Sequence, residues 1–428
     1  MSRSDLERLS KEELIELVLR LHRPEKTSRT SSKPPASDRK ERREKARPGG
    51  AKPRHEGHNK RALTPDPDQV VEYRPASCSA CGELLPTDLT AEVVSVHERI
   101  DLPLVRPVVE QHRSLCVTCP ACRTQVAALR SVGADATPFG PRLQAVATYL
   151  KTFQALSYER LQAALSDLFG LTLSQGGLMN VLRRAQGCFA EGRDAALARL
   201  RRAPVVASDE TGVCIEGANS YHWVFRCEDA VVHHAAPSRS AAVVGEVMAG
   251  HRPAVWLSDR YSAQQGRGER QQTCLAHLSR DVAYVVEAGD DLIALRLQWW
   301  LDKAFGLAHG LTELAASTLA RKRCELEQDL DALLKAPATC DLTRALQTRM
   351  SRARDQLLTF VAFPGQVDVT NNACERDLRP AVVQRKVTNG YRAMWAVKGE
   401  ADVRTVTATA ALTTKATPFA TLLATITA

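Results

Sequence analysis

The stretch that most constrains the fold is Pro204-Val-Val-Ala-Ser-Asp-Glu-Thr-Gly212. Its small and β-branched residues lead into an acidic pair, which is the pattern of a buried strand that ends in a carboxylate. We therefore predict a strand over Val205–Asp209, followed by a turn at the Thr-Gly pair. Because most strand-end aspartates only meet solvent, Asp209 by itself does not identify a function.

Two further acidic residues, Asp259 and Glu375, lie in segments whose patterns predict a strand and a helix. Pro253-Ala-Val-Trp-Leu-Ser-Asp-Arg260 predicts a second strand, Ala254–Asp259, that ends at Asp259. A third acid, Glu375, lies in a segment that has the pattern of a helix start. Two strand-end aspartates and a helix-borne glutamate supply the hard oxygen ligands that suit a pair of divalent cations. Glu210 is expected to be a neighbour of these ligands rather than one of them.

The length and the patterning of the 428 residues predict about two to four domains. A run of strands, then a helix and another strand, predicts a mixed sheet with helices packed on it, so the fold class is multidomain α+β/α/β. The predicted regions are a short N-terminal helix (1–22), a basic disordered arm (23–70), a small zinc-binding β module (71–130), a helical region (138–202), a sheet-bearing core in two parts (203–281 and 366–428) and a helical insertion between those parts (282–365).

Hydrophobic periodicity also predicts individual elements of these regions. The pattern predicts an amphipathic helix over Ser4–His22. The pair Trp299-Trp300 is interpreted as part of the core, and the alternative for this pair is base stacking on distorted DNA. The predicted strands beyond the two above are Val213–Ile215, Tyr221–Arg226, Val231–Ala235 and a short one at Cys274–His277. The predicted helices are Pro141–Phe153, Tyr158–Phe169 ended by Gly170, the next one capped by Ser174, Arg239–Met248, and most of Asp290–Phe360.

The net charge of +9 is concentrated in one segment. Residues 23–61 contain 14 Lys and Arg against 5 Asp and Glu, while the rest of the chain holds 58 − 14 = 44 basic and 49 − 5 = 44 acidic residues. A basic arm of this kind usually binds polyanions such as DNA, and the alternative is a solvated linker. No apolar run is long enough to span a bilayer. We therefore expect a cytoplasmic protein that makes no membrane contact.

Five of the twelve cysteines fall between residues 78 and 122, which favours metal binding over disulfides. Two Cys-x-x-Cys turns can place four thiolates around one structural Zn²⁺. We assign Cys78, Cys81, Cys119 and Cys122 as the ligands, because Cys-Pro-x-Cys matches the usual second knuckle. Cys116 or a histidine, His97 or His112, is the alternative for one position. Strands are predicted between the knuckles, at 92–98 and 105–112.

The helical region 138–202 is compatible with a helix-turn-helix, since a short Gly-containing turn joins two of its helices. In that interpretation Arg183 and Arg184 lie near phosphate. Generic helical packing explains the pattern equally well.

The order of these motifs resembles that of the insertion sequence 66 (IS 66) family of bacterial transposases. The resemblance is carried by the zinc knuckles, Ser-Asp-Glu-Thr-Gly, Leu-Ser-Asp-Arg-Tyr, Cys-Leu-Ala-His and Asn-Asn-x-x-Glu-Arg-x-Leu-Arg-Pro. It implies a ribonuclease H-like core with a DDE triad at Asp209, Asp259 and Glu375. It also implies that His277 approaches the scissile phosphate, although a buried, hydrogen-bonded histidine is the alternative.

The residues after Glu375 predict further DNA contacts. In a helix, Arg379 and Lys386 share the face of Glu375, and Arg385 lies beside them; Asn371 or Asn372 is expected to cap that helix. The alternative is an ordinary amphipathic helix with exposed basic residues.

The resemblance implies two catalytic Mg²⁺ ions, for which Mn²⁺ can substitute, with Asp209 as the bridging ligand. The implied partners are the terminal repeats of the element, target DNA, further copies of the chain bound to DNA, and small accessory proteins; when bound to DNA the protein would be nucleoid-associated. The competing interpretations are a metal-dependent nuclease without strand transfer and an inert DNA-binding repressor.

Overall fold

The structure is a computed structural model that describes residues 64–103, 105–128, 137–289 and 291–428, together with 10, 11, 14, 18, 23–27 and 29–31. Residues 42–106 form one compact unit, and residues 1–41 with 107–428 form another. Most of the predicted helix Ser4–His22 and of the basic arm lies outside the described residues. Within the described ranges, no helix is long and apolar enough to cross a membrane.

The larger unit contains two sheets and thirteen helices in the residues described. The strands are β1 (Cys116–Thr118), β2 (Gln125–Ala127), β3 (Val205–Ile215), β4 (Ala218–Arg226), β5 (Val231–Ala236), β6 (Val255–Ser258) and β7 (Arg270–Thr273). The helices are α1 (Pro141–Thr152), α2 (Tyr158–Phe169), α3 (Gln175–Gly187), α4 (Ala190–Leu200), α5 (Ala241–Met248), α6 (Leu275–Ala288), α7 (Leu292–His309), α8 (Ala316–Lys335), α9 (Asp341–Arg352), α10 (Thr359–Ala362), α11 (Asn372–Thr388), α12 (Met394–Thr414) and α13 (Pro418–Thr427).

The main sheet has five strands in the order β5-β4-β3-β6-β7. Strands β3, β4 and β5 form an antiparallel meander, whereas β6 and β7 run parallel to β3. This arrangement confirms the predicted mixed sheet with packed helices. The segments predicted as strands at residues 205–235 lie in β3, β4 and β5, and the predicted strand Ala254–Asp259 is β6, which ends one residue earlier, at Ser258.

One boundary prediction is wrong: β3 does not end at Asp209 but continues to Ile215. The Thr-Gly pair is therefore not a turn, and Val213–Ile215 is not a separate strand. The reason is tertiary, because β4 pairs with β3 from Ala207 to Ile215 and supplies hydrogen-bond partners beyond the acids. The parallel partner β6, by contrast, pairs only with Val205–Ala207.

The two faces of the main sheet are covered by different helices. On one face, Val206, Trp223, Phe225 and Trp256 pack against α4 and α5. On the other face, Ala207, Val224 and Leu257 pack against Cys374 and Leu378 of α11. Since side chains alternate along a strand, consecutive residues of β3 belong to opposite faces.

Both edges of the sheet are closed by side chains of neighbouring helices. Along β5, the backbone N–H groups of Val231 and His233 donate to Thr409 and Thr405 of α12, at 3.1 and 2.9 Å. Along β7, Thr359 of α10 donates to the carbonyl oxygen of Gln271 at 2.7 Å. An unpaired strand edge invites association with other chains, and these bonds remove that hazard.

The helices observed in the helical region 138–202 agree closely with the predicted ones. Ser157 caps α2, Gly170 ends it in a left-handed conformation, and the Ser174 hydroxyl accepts from the Gly177 N–H at the start of α3. These helices pack around a small core of their own that includes Leu161, Leu165 and Leu178. The predicted elements are confirmed, while DNA recognition by them stays a prediction.

The predicted helical insertion is also confirmed, since α7 to α10 fill residues 292–362 around one apolar cluster. Trp300 is buried there, with Nε1 donating to the Leu326 carbonyl oxygen at 2.8 Å. Trp299, predicted to be core, is instead 67% exposed. Neighbouring positions on a helix point about 100° apart, so two adjacent tryptophans cannot both enter one core.

Candidate active site

Asp209, inside β3, and Asp259, directly after β6, occupy matching positions just beyond the parallel pairing of these two strands. The register pairs Ala207 of β3 with Leu257 of β6, so each aspartate lies two residues beyond a paired residue. Adjacent strands run about 4.8 Å apart, and positions two residues apart point to one face. The topology therefore brings the two carboxylates to the same end of the same face, where the parallel pairing stops.

The carboxyl group of Asp209 is strongly perturbed. Burial, followed by the negative charges of Glu210, Asp259 and Glu375, raises the pKa of Asp209 to about 8. The Glu210 N–H donates to Oδ1 of Asp209 at 2.9 Å, and this hydrogen bond acts to lower the pKa of Asp209. These acids repel one another, and a bound cation would relieve that repulsion.

The helix that carries Glu375 is tied directly to the strand that carries Asp209. Asn371 is 1% exposed, and its Nδ2 donates to the Ser208 carbonyl oxygen at 2.8 Å. Its backbone N–H donates to Cys274 Sγ at 3.1 Å. Asn371 is the N-terminal residue flanking α11 but makes no side-chain capping bond, so the predicted cap is wrong. Its amide binds the neighbouring strand instead of its own helix.

His277 lies beside Glu375, on the first turn of α6. Its Nε2 is 3.6 Å from Oε1 of Glu375, and its Nδ1 is 3.3 Å from Cys274 Sγ. Burial lowers the pKa of His277, although the nearby charge of Glu375 acts to raise it. The predicted short strand Cys274–His277 is wrong, because the strand is β7 and Cys274 precedes the helix that presents His277.

Glu210 faces away from this group of acids. Its carboxylate is paired with Arg239, with Nη2 at 2.5 Å from Oε1, and it accepts a further hydrogen bond from Gln264. The Glu210 carboxylate is thus bonded to other elements, and its predicted place beside the metal ligands stays a prediction. The side-chain period of the strand is the cause, because Asp209 and Glu210 must point to opposite faces.

Carboxylate oxygens are the donors that Mg²⁺ prefers, so the three acids fit such an ion in type. In the described part of the chain, Oε1 of Glu375 is buried without a hydrogen-bond partner, as expected of a ligand atom. In those same residues, no three or more Cys, His, Asp or Glu side chains are drawn together closely enough to hold a metal ion.

The basic residues predicted for DNA contact have different surroundings. Arg379 and Lys386 are exposed on α11, whereas Arg385 donates to the carbonyl oxygen of Gly212 on β3. Arg385 and Lys386 line a cavity of about 520 Å³ beside the β3–β4 hairpin. In the helical region, the guanidinium of Arg183 lies 5.2 Å from the ring centroid of Trp395, and Arg184 is exposed.

The two Cys-x-x-Cys turns, each taken by itself, have the same backbone geometry. In the first, the Gly82 N–H donates to the Cys78 carbonyl oxygen at 2.9 Å, and Gly82 has φ +77°. In the second, the Arg123 N–H donates to the Cys119 carbonyl oxygen at 2.9 Å, and Arg123 has φ 61°. The repeat of this turn at Cys119 distinguishes it from Cys116, which lies in β1.

Hydrogen bonding favours the thiolate form at both turns. Backbone hydrogen bonding from Cys81 lowers the pKa of Cys78, and the side chain of Thr124 is the main cause that lowers the pKa of Cys122 to about 7. The strands predicted at 92–98 and 105–112 are wrong, since no residue of either segment is in a strand; β1 and β2 flank the second turn instead. Alternating apolar residues there face no sheet partner.

Three residues without a predicted role shape this site, namely Cys274, Arg239 and Gln264, and Asn371 shapes it through a side-chain bond that differs from the predicted cap. Asn371 and Cys274 stood within quoted motifs, but the motif does not reveal that they bond to each other. Arg239 and Gln264 carry no local signal, because their partners lie on other elements.

A family model described as "Transposase IS66 family" matches residues 136–398, which is more than half of the chain. The matched segment contains the three acids, the helical insertion and the helical region. No curated protein matches the chain.

Proposed function

The chain belongs to the IS66 family of transposases, and from that premise we propose that Asp209, Asp259 and Glu375 are the catalytic acids of a DNA-cleaving and strand-joining enzyme. The proposal includes a ribonuclease H-like arrangement of the core, in which acids at the ends of adjacent strands face an acid on a packed helix.

One observation carries the proposal. Asp209 and Asp259 follow register-matched residues of parallel strands, and the bond from Asn371 to Ser208 holds the start of the Glu375 helix against the same strand end. Residues from three separate parts of the sequence thereby share one charged region, and their charges act on one another.

Each residue of the site has a proposed task. Asp209 would be shared by two Mg²⁺ ions, and Asp259 and Glu375 would each hold one of them. When bound, the two ions activate the attacking oxygen and stabilise the leaving one. Asn371 fixes the direction of the Glu375 helix. His277, neutral because burial lowers its pKa, can donate from Nε2 to a phosphate oxygen beside Glu375.

The proposed reaction has two balanced steps. In the first, a water oxygen attacks phosphorus at the element end and the bond to the 3′ oxygen breaks, which leaves a 3′-hydroxyl. In the second, that hydroxyl oxygen attacks a phosphorus of target DNA and displaces another 3′-hydroxyl. No net oxidation or external energy source is needed, because one phosphodiester bond forms for each one broken in the second step.

The exposed residues of α11 provide the proposed path for the DNA strand. Arg379 and Lys386 extend from the helix that carries Glu375, and Arg385 anchors that helix to β3 while lining the adjacent cavity. Cations at this spacing can follow successive phosphates away from the cleavage point. The basic arm at 23–61, Arg183 and Arg184 are proposed as further DNA contacts.

The decisive experiment incubates purified protein with labelled element ends, target DNA and Mg²⁺. We expect a nick that leaves a 3′-hydroxyl, followed by joined product. Cleavage without joining would instead favour the nuclease, and binding without cleavage, also in Mn²⁺, would favour the inert repressor. Protein with Asp259→Asn serves as the matched negative control.

We propose in addition that Cys78, Cys81, Cys119 and Cys122 hold one structural Zn²⁺. The identical turns and the lowered thiol pKa values support this assignment. Metal analysis should find about one zinc per chain, the ratio of a four-thiolate site, and the double variant Cys78→Ser/Cys119→Ser should lose it. The exposed Cys188→Ser is the control. Zinc content that is unchanged in the double variant would contradict the proposal.

A further inference from the structure

We propose that Arg239, Glu210, Tyr261 and Gln264 form a latch that positions Asp259 for metal binding. In this proposal Arg239 is a positioning residue and does not contact DNA phosphate. The inference rests on the proposed function of Asp259 as a metal ligand, and it concerns residues on the face of the sheet opposite to Asp209.

The centre of the latch is the carboxylate of Glu210, which is 2% exposed. Arg239 donates from Nε to Oε1 at 2.6 Å, and Gln264 donates from Nε2 to Oε2. Both oxygens are therefore occupied by side chains from outside β3. A buried carboxylate needs such partners, since an unpaired charge in the interior is costly.

Tyr261 connects Arg239 to Asp259. Its hydroxyl donates to the Arg239 carbonyl oxygen at 2.9 Å, and the Arg239 guanidinium lies 3.7 Å from its ring centroid. The backbone N–H of Tyr261 donates to Oδ1 of Asp259 at 2.8 Å. Any shift of the tyrosine therefore moves the atom that orients the Asp259 carboxylate.

Gln264 fixes the other end of the same loop. It is fully buried, its Oε1 accepts from the hydroxyl of Ser208, and its Nε2 reaches Glu210. Ser208 and Glu210 flank Asp209 on β3. The loop that carries Asp259 is thus bonded to the strand that carries Asp209 through the side chains on its opposite face.

Two observations separate this role from phosphate binding. The positive charge of Arg239 is already paired with Glu210 at 2.5 Å, and the guanidinium is stacked on Tyr261. The exposed cations of α11, by contrast, include Arg379 and Lys386. Because Arg239 is held by both Glu210 and Tyr261, it can make the Asp259 loop more rigid, as residues that support metal ligands commonly do.

The test measures Mn²⁺ binding to the full chain by electron paramagnetic resonance, without DNA, and DNA affinity separately in EDTA. Arg239→Ala should weaken Mn²⁺ binding about 10-fold, the usual effect of removing a residue that supports a metal ligand, and leave DNA affinity unchanged. Arg239→Lys should recover part of the loss, and the exposed Arg252→Ala is the control.

Tyr261→Phe keeps the ring and the backbone N–H, so it tests the latch even if Arg239→Ala fails to fold; we expect about 3-fold weaker Mn²⁺ binding, the loss of one ordinary hydrogen bond. Unchanged Mn²⁺ binding in Arg239→Ala and Tyr261→Phe would overturn the latch. So would a loss of DNA affinity with a salt slope reduced by about one, which indicates a phosphate contact.

Two reference variants distinguish failure of the latch from failure of the proposed function. Asp259→Asn and Glu375→Gln should each remove most Mn²⁺ binding. If they do and the latch variants do not, only the latch is refuted. If neither reference variant changes Mn²⁺ binding, the acids are not the metal site and the proposed function fails with it.

Discussion

Asp209 and Glu210 are consecutive acids on one strand, yet the two faces of the sheet give them opposite surroundings. Asp209 lies among other acids, with a pKa raised to about 8, mainly by burial and then by their charges. Glu210 is buried as well, and burial raises its pKa too, but Arg239 and Gln264 bind its carboxylate and act to lower it. The same chemical group thus lies among like charges on one face and is paired with a cation on the other.

The two faces of the sheet therefore use their acids differently. The face toward α11 places carboxyl groups so that their charges repel, and either a proton on Asp209 or a bound cation relieves that repulsion. The face toward α5 uses an acid of the same strand to hold a loop in place. Unsatisfied buried groups are costly and cluster at functional sites, whereas satisfied ones specify geometry.

The strongest test of the charged face is Glu375→Gln, which keeps the shape of the side chain and removes its charge. We expect cleavage to fall by about three orders of magnitude or more, because metal-based stabilisation of the transition state is lost. DNA affinity in EDTA should stay near that of the wild type. A gel assay of labelled element ends measures both.

Asp377→Asn is the matched control for Glu375→Gln on the same helix. Asp377 pairs with Arg226 of β4 at 2.6 Å and takes no part in the charged region. We expect nearly normal cleavage and a lower melting temperature. Near-normal cleavage by Glu375→Gln in Mg²⁺ would remove Glu375 from the site.

A second test concerns the hydrogen bond between Asn371, at the start of α11, and Ser208 of β3. Asn371→Asp places an acceptor opposite the Ser208 carbonyl oxygen, where the amide now donates. The resulting shift of Glu375 should reduce cleavage about 100-fold, a typical cost of misplacing a catalytic group by about 1 Å. Asn372→Asp is the control, because Asn372 is exposed and a negative charge suits the N-terminus of a helix. Equal activity of the two variants would contradict the role of Asn371.

A third test compares the two faces of the main sheet by measuring the free energy of unfolding of variants in EDTA. Because the folded pKa of Asp209 is raised above its unfolded value, the folded state holds a proton that the unfolded state loses, and stability falls as pH rises from about 4 to about 8. Asp209→Asn should remove this dependence and stabilise the protein at pH 7 by about 4 kcal/mol. Urea unfolding at several pH values measures the effect.

Glu210→Gln should change stability less than Asp209→Asn does. Burial raises the pKa of Glu210 as well, but Arg239 and Gln264 act to lower it, so removing this charge relieves less and leaves Arg239 without its charged partner. If Glu210→Gln shifts the free energy of unfolding at pH 7 as far as Asp209→Asn does, the contrast between the faces is wrong.

A further test concerns two histidines on the same face as Asp209. His222 and His233 lie 3.0 Å apart, Nε2 to Nδ1; burial, followed by the charge of Arg404, lowers the pKa of His222 to about 3, and burial, followed by His222, lowers that of His233. Because the unfolded histidines bind protons first, stability should fall as pH drops below about 6.5; His222 contributes about 2 kcal/mol of this loss at pH 5, and His233 adds to it.

His222→Gln should show about half of that pH-dependent loss, because only one of the two rings remains. Exposed His309→Gln should behave like the wild type. Parallel urea titrations at pH 7 and pH 5 check this. A loss in His222→Gln equal to that of the wild type would show that other groups dominate.

Most elements were predictable because their signals are local. The capped helices around Gly170 and Ser174, the strand before Asp259 and the helical insertion all follow from periodicity and from residues with special backbone preferences. The errors have a common cause in partners that lie far along the chain. β3 runs past Asp209 because β4 pairs with it, and Asn371 leaves its helix uncapped because Ser208 is within reach.

The amino-acid sequence alone shows which acids are available, that two of them come after apolar, strand-forming residues and one lies near the start of a helix, and that the motifs resemble those of transposases. Which face of the sheet each acid takes, and which groups it meets there, depends on the folded structure. Strand alternation separates Asp209 from Glu210 in principle, but Arg239, Gln264 and Tyr261 reach Glu210 and the Asp259 loop only because β6 lies next to β3. A residue's chemistry is local, while its protonation and its partners depend on groups that folding brings near.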